Sequence, residues 1–188
     1  MNNIGFIFPG QGSQKLGMLA ELAANFSVVE ETFAQASTVL GQDLWQVSQT
    51  DQNEQLNHTD ITQPVLLAAS VALWRVWQDQ QGSQPSILAG HSLGEYSALV
   101  CSGVLAFGDA IQLVHQRGLY MQTAVSAGTG KMAAIIGLDD DKVAGLCEEA
   151  TQGQVVSAAN FNSPGQTVIA GDVDAVERAM VLCKEAGA

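Results

Sequence analysis

The octapeptide Gly90-His91-Ser92-Leu93-Gly94-Glu95-Tyr96-Ser97 follows directly on the apolar tripeptide Ile87-Leu88-Ala89. A G-x-S-x-G sequence set between an apolar strand and a helical run describes a sharp strand-to-helix turn. The turn is tight enough to need small residues on both sides, and it lifts the serine oxygen clear of the sheet. A chain built round such a turn needs a strand leading into it and a helix leading out, so its architecture is α/β. The glycines could serve close packing alone. The flanking strand and helix make Ser92 a candidate nucleophile, and the amide of Leu93, opening the helix, a candidate oxyanion donor.

The rest of the chain reads as alternating strands and helices. Ile4 to Phe8 is a compact apolar run ended by Pro9-Gly10, a buried parallel-type strand. Residues 14–40 have helical spacing, as two short helices broken near Asn25. Asp60 and Thr62 can start a long helix through about Gln81, closed by Gly82 and Pro85. Ser86 to Ala89 is the second strand, and Leu93 to Cys101 and Gly108 to about Ala127 are helices. After Gly128-Thr129-Gly130 the pattern changes. Met132 to Ile136 reads as a strand, Asp139 to Ala150 as a helix with acids capping its start, Val155 to Ala159 and Thr167 to Ala170 as strands, and Asp172 to about Ala186 as a helix. That order, βαββα, lacks only a final strand to complete a split βαβ unit. The first part carries five helical segments on two strands. Both shortfalls lead us to expect a C-terminally truncated chain.

Composition narrows the function. With 188 residues, 47% hydrophobic and only 14% charged, the chain suits a globular α/β protein and not a disordered tail. Its net charge is −12 and its seven basic residues are scattered, so no basic stripe invites nucleic acid. Cys101, Cys147 and Cys183, an odd number without C-x-x-C spacing, read as buried thiols in a reducing compartment, neither a disulfide frame nor a metal site. The start MNNIGFIFPG has no signal-peptide character, and the longest apolar stretch, Val65 to Trp77, is too short to span a bilayer and carries Arg75. The expectation is a cytoplasmic protein with no membrane partner.

Two glycine-rich loops fail as nucleotide sites. Gly10, Gly12 and Gly17 miss the G-x-G-x-x-G spacing, and Gly128-Thr129-Gly130-Lys131-Met132 lacks the upstream glycine and the Ser/Thr of a P-loop. The first loop, at the carboxyl end of its strand, suits a second oxyanion donor better, from the amide of Gln11. A base for Ser92 is harder to find. His91 adjoins Ser92 but leaves the turn in another direction, and His58 sits in a polar loop. His115 shares a helix with Arg117 at a spacing that puts the two on nearly opposite faces, so one of them can face the serine, but not both. Arg117 shares a face with Val114 and Met121. It is either a snorkelling or salt-bridged arginine or a fork for a substrate carboxylate.

Four blocks together carry a resemblance: GQGSQ at 10–14, GHSLGEYSAL at 90–99, RGLYMQ at 117–122 and NFNSPGQTVIAG at 160–171. Their residues, order and spacing resemble those of the bacterial malonyl-CoA:acyl carrier protein transacylases, over the whole chain. The resemblance implies an α/β-hydrolase-like core, residues 1–127, carrying a ferredoxin-like subdomain, residues 128–188, both incomplete at the C-terminus. It implies an acyltransferase of fatty acid biosynthesis, in which Ser92 forms the acyl-enzyme and the amides of Gln11 and Leu93 make the oxyanion hole. Arg117 would bind the malonyl carboxylate, Met121 would line the acyl pocket, and Asn160 would contribute from the subdomain. Malonyl-CoA and acyl carrier protein are the implied partners, the CoA thioester is a substrate, no cofactor or metal is implied, and a monomer is expected.

The family's catalytic histidine follows the last subdomain strand and a supporting glutamine comes later. Both are expected beyond Ala188, which leaves the 188-residue chain expected to be poorly active. A serine hydrolase or thioesterase on the same turn, and a non-catalytic fragment that binds CoA or a carrier protein, are the alternatives.

Overall fold

The computed structural model describes residues 4–126 and 128–188. Residues 1–3 and Ala127, the expected domain boundary, lie outside the described residues; the helix expected to run to about Ala127 already ends at Thr123. The chain divides into two compact units, Met1–Thr123 and Ala124–Ala188, each with its own apolar core. Its content is mixed helix and strand.

In the first unit, strand β1 (Gly5–Phe8) pairs in parallel with β2 (Ile87–Gly90), with Phe8 opposite Gly90. Between them run α1 (Ala20–Ala23), α2 (Val28–Leu40), α3 (Leu44–Gln49) and α4 (Thr59–Asp79). After β2 come α5 (Leu93–Cys101) and α6 (Phe107–Thr123). The break expected near Asn25 separates α1 from α2. Helix α3 was not legible from hydrophobic spacing because it is short, yet it carries a start signal, as the Asp43 carboxylate accepts the Gln46 amide at 2.9 Å.

Helix α4 is the centre of this unit. Nearly its whole length from Ile61 to Ala72 is buried, because α2, α5 and α6 all pack on it. It is also joined to the small sheet by Phe6, whose ring meets Trp74 and Trp77 edge-on at 5.4 and 5.3 Å between centroids. No helix among the described residues is long and apolar enough to cross a membrane.

The second unit comprises β3 (Gly130–Ile136), α7 (Asp140–Ala150), β4 (Val156–Ser163), β5 (Gln166–Asp172) and α8 (Val173–Glu185), in the βαββα order read from sequence. Its sheet is antiparallel with strand order β3-β5-β4, which leaves β3 on an edge. Ile135, Val156 and Ile169 pack with Val143, Cys147, Val176 and Ala179 of the two helices, while Met132 and Ile136 are exposed. The acids expected at the start of α7 are in place, Asp139 at the N-cap and Asp140 and Asp141 in the first turn. Asp139, at the N-cap, makes no capping hydrogen bond. Asp140 instead accepts from the hydroxyl of the fully buried Thr167, tying the helix to the middle strand.

Candidate active site

The geometry of the serine turn follows from contacts that only glycine allows. A Cβ on Gly90 would sit 2.1 Å from the Gly94 carbonyl, and one on Gly94 would sit 2.2 Å from the Phe8 carbonyl oxygen. Both clashes are with backbone, so α5 can fold back onto the strand ends only with glycine at these two places. Ser92 between them has φ 54° and ψ −111°, a backbone state that costs on the order of 1–3 kcal/mol outside glycine. The strain leaves the Ser92 side chain exposed at the head of α5. Leu93 buries its side chain in the core. As the first residue of α5, its N–H has no partner within the helix.

The loop after β1 runs beside this turn. Its neighbourhood is fixed by the register of β1 and β2, which ends both strands side by side, and by Gly10, where a Cβ would lie 3.2 Å from the His91 carbonyl oxygen. Within the loop, the Gln14 side chain accepts the Gly12 amide at 2.8 Å, and Gln11 Nε2 donates to Thr59 Oγ1 at 3.2 Å. The second hydrogen bond ties the loop to the first turn of α4.

That first turn also locates Arg117. Pro64, inside α4, has no N–H, so the carbonyl of Asp60 four residues earlier loses its helical donor. His115 Nδ1 fills the gap at 2.9 Å from Asp60 O. A carbonyl only accepts, so Nδ1 carries the proton. Helix α6 can come this close because position 118 is glycine; a Cβ there would lie 2.4 Å from Asp60 Cα and 2.7 Å from Thr59 O. One turn further on, Gln122 Oε1 accepts the Thr59 amide at 3.0 Å and caps the start of α4.

His115 and Arg117 flank this line of contact on either side. Against the expectation of nearly opposite faces, both side chains reach α4, His115 at Asp60 and Arg117 at Gln63, with Gly118 seated against the Thr59–Asp60 backbone. Arg117 faces the serine. Its Nη2 donates to Ser92 Oγ at 3.0 Å and its Nη1 to Gln63 Oε1 at 2.6 Å. The guanidinium carbon also stands 5.6 Å from the centroid of the Tyr96 ring, within cation–π range. Gln63 is fully buried, and its Nε2 meets Met121 Sδ at 3.4 Å.

The structure therefore gathers Ser92, Arg117 and Met121, with Gln63 between the last two, and sets the Gln11 loop alongside the Ser92 turn. Asn160 belongs to the second unit, on β4 just past a bulge. His58 is exposed at the N-cap of α4. None of His58, His91 and His115 hydrogen-bonds Ser92 Oγ among the described residues. Gln63, Tyr96 and Gln122 were missed in the sequence. The available signal was Gln63 itself, an amide inside an otherwise apolar helix face and directly before a helical proline.

The family model for the acyl transferase domain matches residues 5–188. The chain belongs to this family. A malonyl CoA-acyl carrier protein transacylase from Salmonella typhimurium is 64% identical over all of this acyl transferase chain. An acyl carrier protein S-malonyltransferase from Vibrio cholerae has a crystal structure that superposes with a TM-score of 0.92 at 63% identity, covering 99% of this chain and 61% of that one. A malonyl-transacylase solved in complex with its type II PKS acyl-carrier protein superposes equally well, with a TM-score of 0.92 at 61% identity, 99% of this chain and 60% of that one. The acyl transferase chain spans 61% of the length of the Salmonella relative.

Proposed function

We propose that the protein carrying this chain transfers the malonyl group from malonyl-CoA to the phosphopantetheine thiol of acyl carrier protein, through an ester on Ser92. The observation that carries the reading is the 3.0 Å contact from the Arg117 guanidinium to Ser92 Oγ. A fixed cation beside the nucleophile suits an acyl group that ends in a carboxylate, and a hydrolase of neutral esters has no use for it. The names of the two relatives and of the carrier-protein complex support the same substrates and partner.

In this reading Ser92 Oγ attacks the thioester carbon, the C–O bond forms, and the C–S bond breaks to release CoA as a thiol. The carrier-protein thiol then attacks the malonyl-serine ester and restores the serine. A guanidinium only donates, so Ser92 accepts from Arg117 and keeps its own O–H free for a base. His115 donates its Nδ1 proton to Asp60 O, and none of the three histidines hydrogen-bonds Ser92 Oγ among the described residues. The Leu93 and Gln11 amides serve as oxyanion donors, Met121 lines the acyl pocket, and Asn160 is assigned to substrate binding on the resemblance alone. We assign the fold, at the finer level, as an α/β-hydrolase-like core in the first unit and a ferredoxin-like subdomain in the second.

The test is acyl selectivity. Arg117→Ala should lower malonyl transfer by roughly 100-fold or more, since breaking a buried or half-buried ion pair costs several kcal/mol, while acetyl transfer changes little. Equal losses for the two acyl groups would make Arg117 a structural residue and defeat the reading.

A further inference from the structure

We infer that Gln63 is a positioning residue for acyl selectivity: it holds the Arg117 guanidinium in the orientation that receives the substrate carboxylate. The inference rests on the proposed malonyl transfer and adds a residue to it.

The argument begins with burial. Gln63 has no exposed surface, and an amide in such a place is costly unless its donors and acceptor are used. The two ends of the amide are told apart by chemistry. Arginine has no acceptor, so the group facing Nη1 at 2.6 Å must be the carbonyl Oε1. The amino group is thereby turned to Met121 Sδ at 3.4 Å, a weak acceptor. A reversed amide would set donor against donor at Arg117, so the orientation is locked.

What is locked is also shared. Arg117, on α6, has its guanidinium bounded by three groups from two other helices: Gln63 of α4, and Tyr96 and Ser92 of α5 and its cap. Of the guanidinium's five N–H donors, the described hydrogen bonds use one on each Nη, which leaves enough for a two-bond contact with a carboxylate. Gln63, like Tyr96 and Ser92, is uncharged. It fixes the fork without neutralising it, as an Asp or Glu at the same place would. Selectivity for an acidic acyl group then depends on an uncharged residue at position 63. The Met121 contact couples this residue to the side chain proposed to line the acyl pocket.

The test compares Gln63→Glu, Gln63→Leu and Arg117→Ala with the unaltered protein, reading KM and kcat for malonyl-CoA and acetyl-CoA and the melting temperature. Gln63→Glu should pair with Arg117 and compete with the substrate, lowering kcat/KM for malonyl-CoA by about 100-fold. Gln63→Leu, which frees the fork to swing, should lower it by about 10-fold, in line with a lost hydrogen bond to a charged group. Both losses should fall mainly on KM. Acetyl-CoA should change by less than about threefold in either variant.

A merely structural glutamine would lower the melting temperature and either spare both acyl groups or depress them equally, and that result would overturn the inference. If Gln63→Leu does not fold, the near-isosteric Gln63→Glu decides alone. Should the unaltered protein show no preference for malonyl over acetyl, the proposed function itself falls. If it shows one that Arg117→Ala removes and both Gln63 variants keep, only the role of Gln63 is refuted.

Discussion

Replacing Gly118 with alanine tests the packing that places Arg117. A Cβ at this position would stand 2.4 Å from Asp60 Cα and 2.7 Å from both Asp60 N and Thr59 O. Carbon atoms rest at about 3.5–4.0 Å, so α6 and α4 must separate by roughly 1 Å. The obstacle is backbone, which cannot rotate aside. Overpacking of this kind costs about 1–3 kcal/mol. The same separation stretches the bonds from His115 to Asp60 O, from the Thr59 amide to Gln122, and from Arg117 to Gln63, each worth about 1 kcal/mol. Against this, alanine gains up to about 1 kcal/mol over glycine as a helix former.

With the three bonds weakened and not broken, the net loss for Gly118→Ala is about 2–4 kcal/mol, or roughly 5–15 °C in melting temperature for a chain of this size. Gly145→Ala is the control. Gly145 is also a helical glycine, exposed on α7, with nothing within 4 Å of its would-be Cβ. Its replacement should raise stability by about 0.5–1 kcal/mol. Both variants are compared with the unaltered protein by thermal unfolding. A Gly118→Ala protein that melts no lower would refute the account of how α6 is seated on α4.

Two further outcomes follow from buried polar groups. Ser97 Oγ is buried without a hydrogen-bond partner among the described residues, so Ser97→Ala should raise stability by about 1 kcal/mol in denaturant unfolding; a loss of that size would show that the hydroxyl is satisfied. The thiols of Cys101, Cys147 and Cys183 are all buried. Burial pushes Cys101 up to about 12 and Cys147 up to about 11, and raises Cys183 as well. A disulfide reagent near pH 8 should therefore label none of them in the native protein and all of them in denaturant. The native state holds these protons more tightly than the unfolded chain, so stability from this source is intact below about pH 9 and is lost as pH rises toward 12. Rapid native labelling of any cysteine would contradict the burial.

The elements that can be read from local pattern were legible in the sequence. The strand before Pro9-Gly10, the turn at Ser92 and the βαββα order of the second unit all rest on short-range chemistry, in glycine placement and apolar runs. The site around Arg117 was only half legible. Helical spacing put Arg117 and Met121 on one face and His115 on another, but it left open which of Arg117 and His115 meets the serine. That choice depends on a crossing between α4 and α6, residues more than fifty apart, set by Gly118 and by the carbonyl that Pro64 releases at Asp60. Gln63 was missed for the same reason: hydropathy marks it as one polar residue in an apolar helix, and only the crossing supplies its partner. Helix α3 was lost for the opposite reason, being too short for periodicity to register.

The central claim, that Ser92 carries a malonyl ester, is tested most directly by the covalent state of that residue. The protein is incubated with labelled malonyl-CoA, quenched in acid, digested, and the peptide containing Ser92 is weighed. The account predicts a malonyl adduct on Ser92 that disappears when a carrier protein bearing its phosphopantetheine thiol is added, and that never forms in Ser92→Ala. An adduct on another residue, or one that persists in Ser92→Ala, would contradict it.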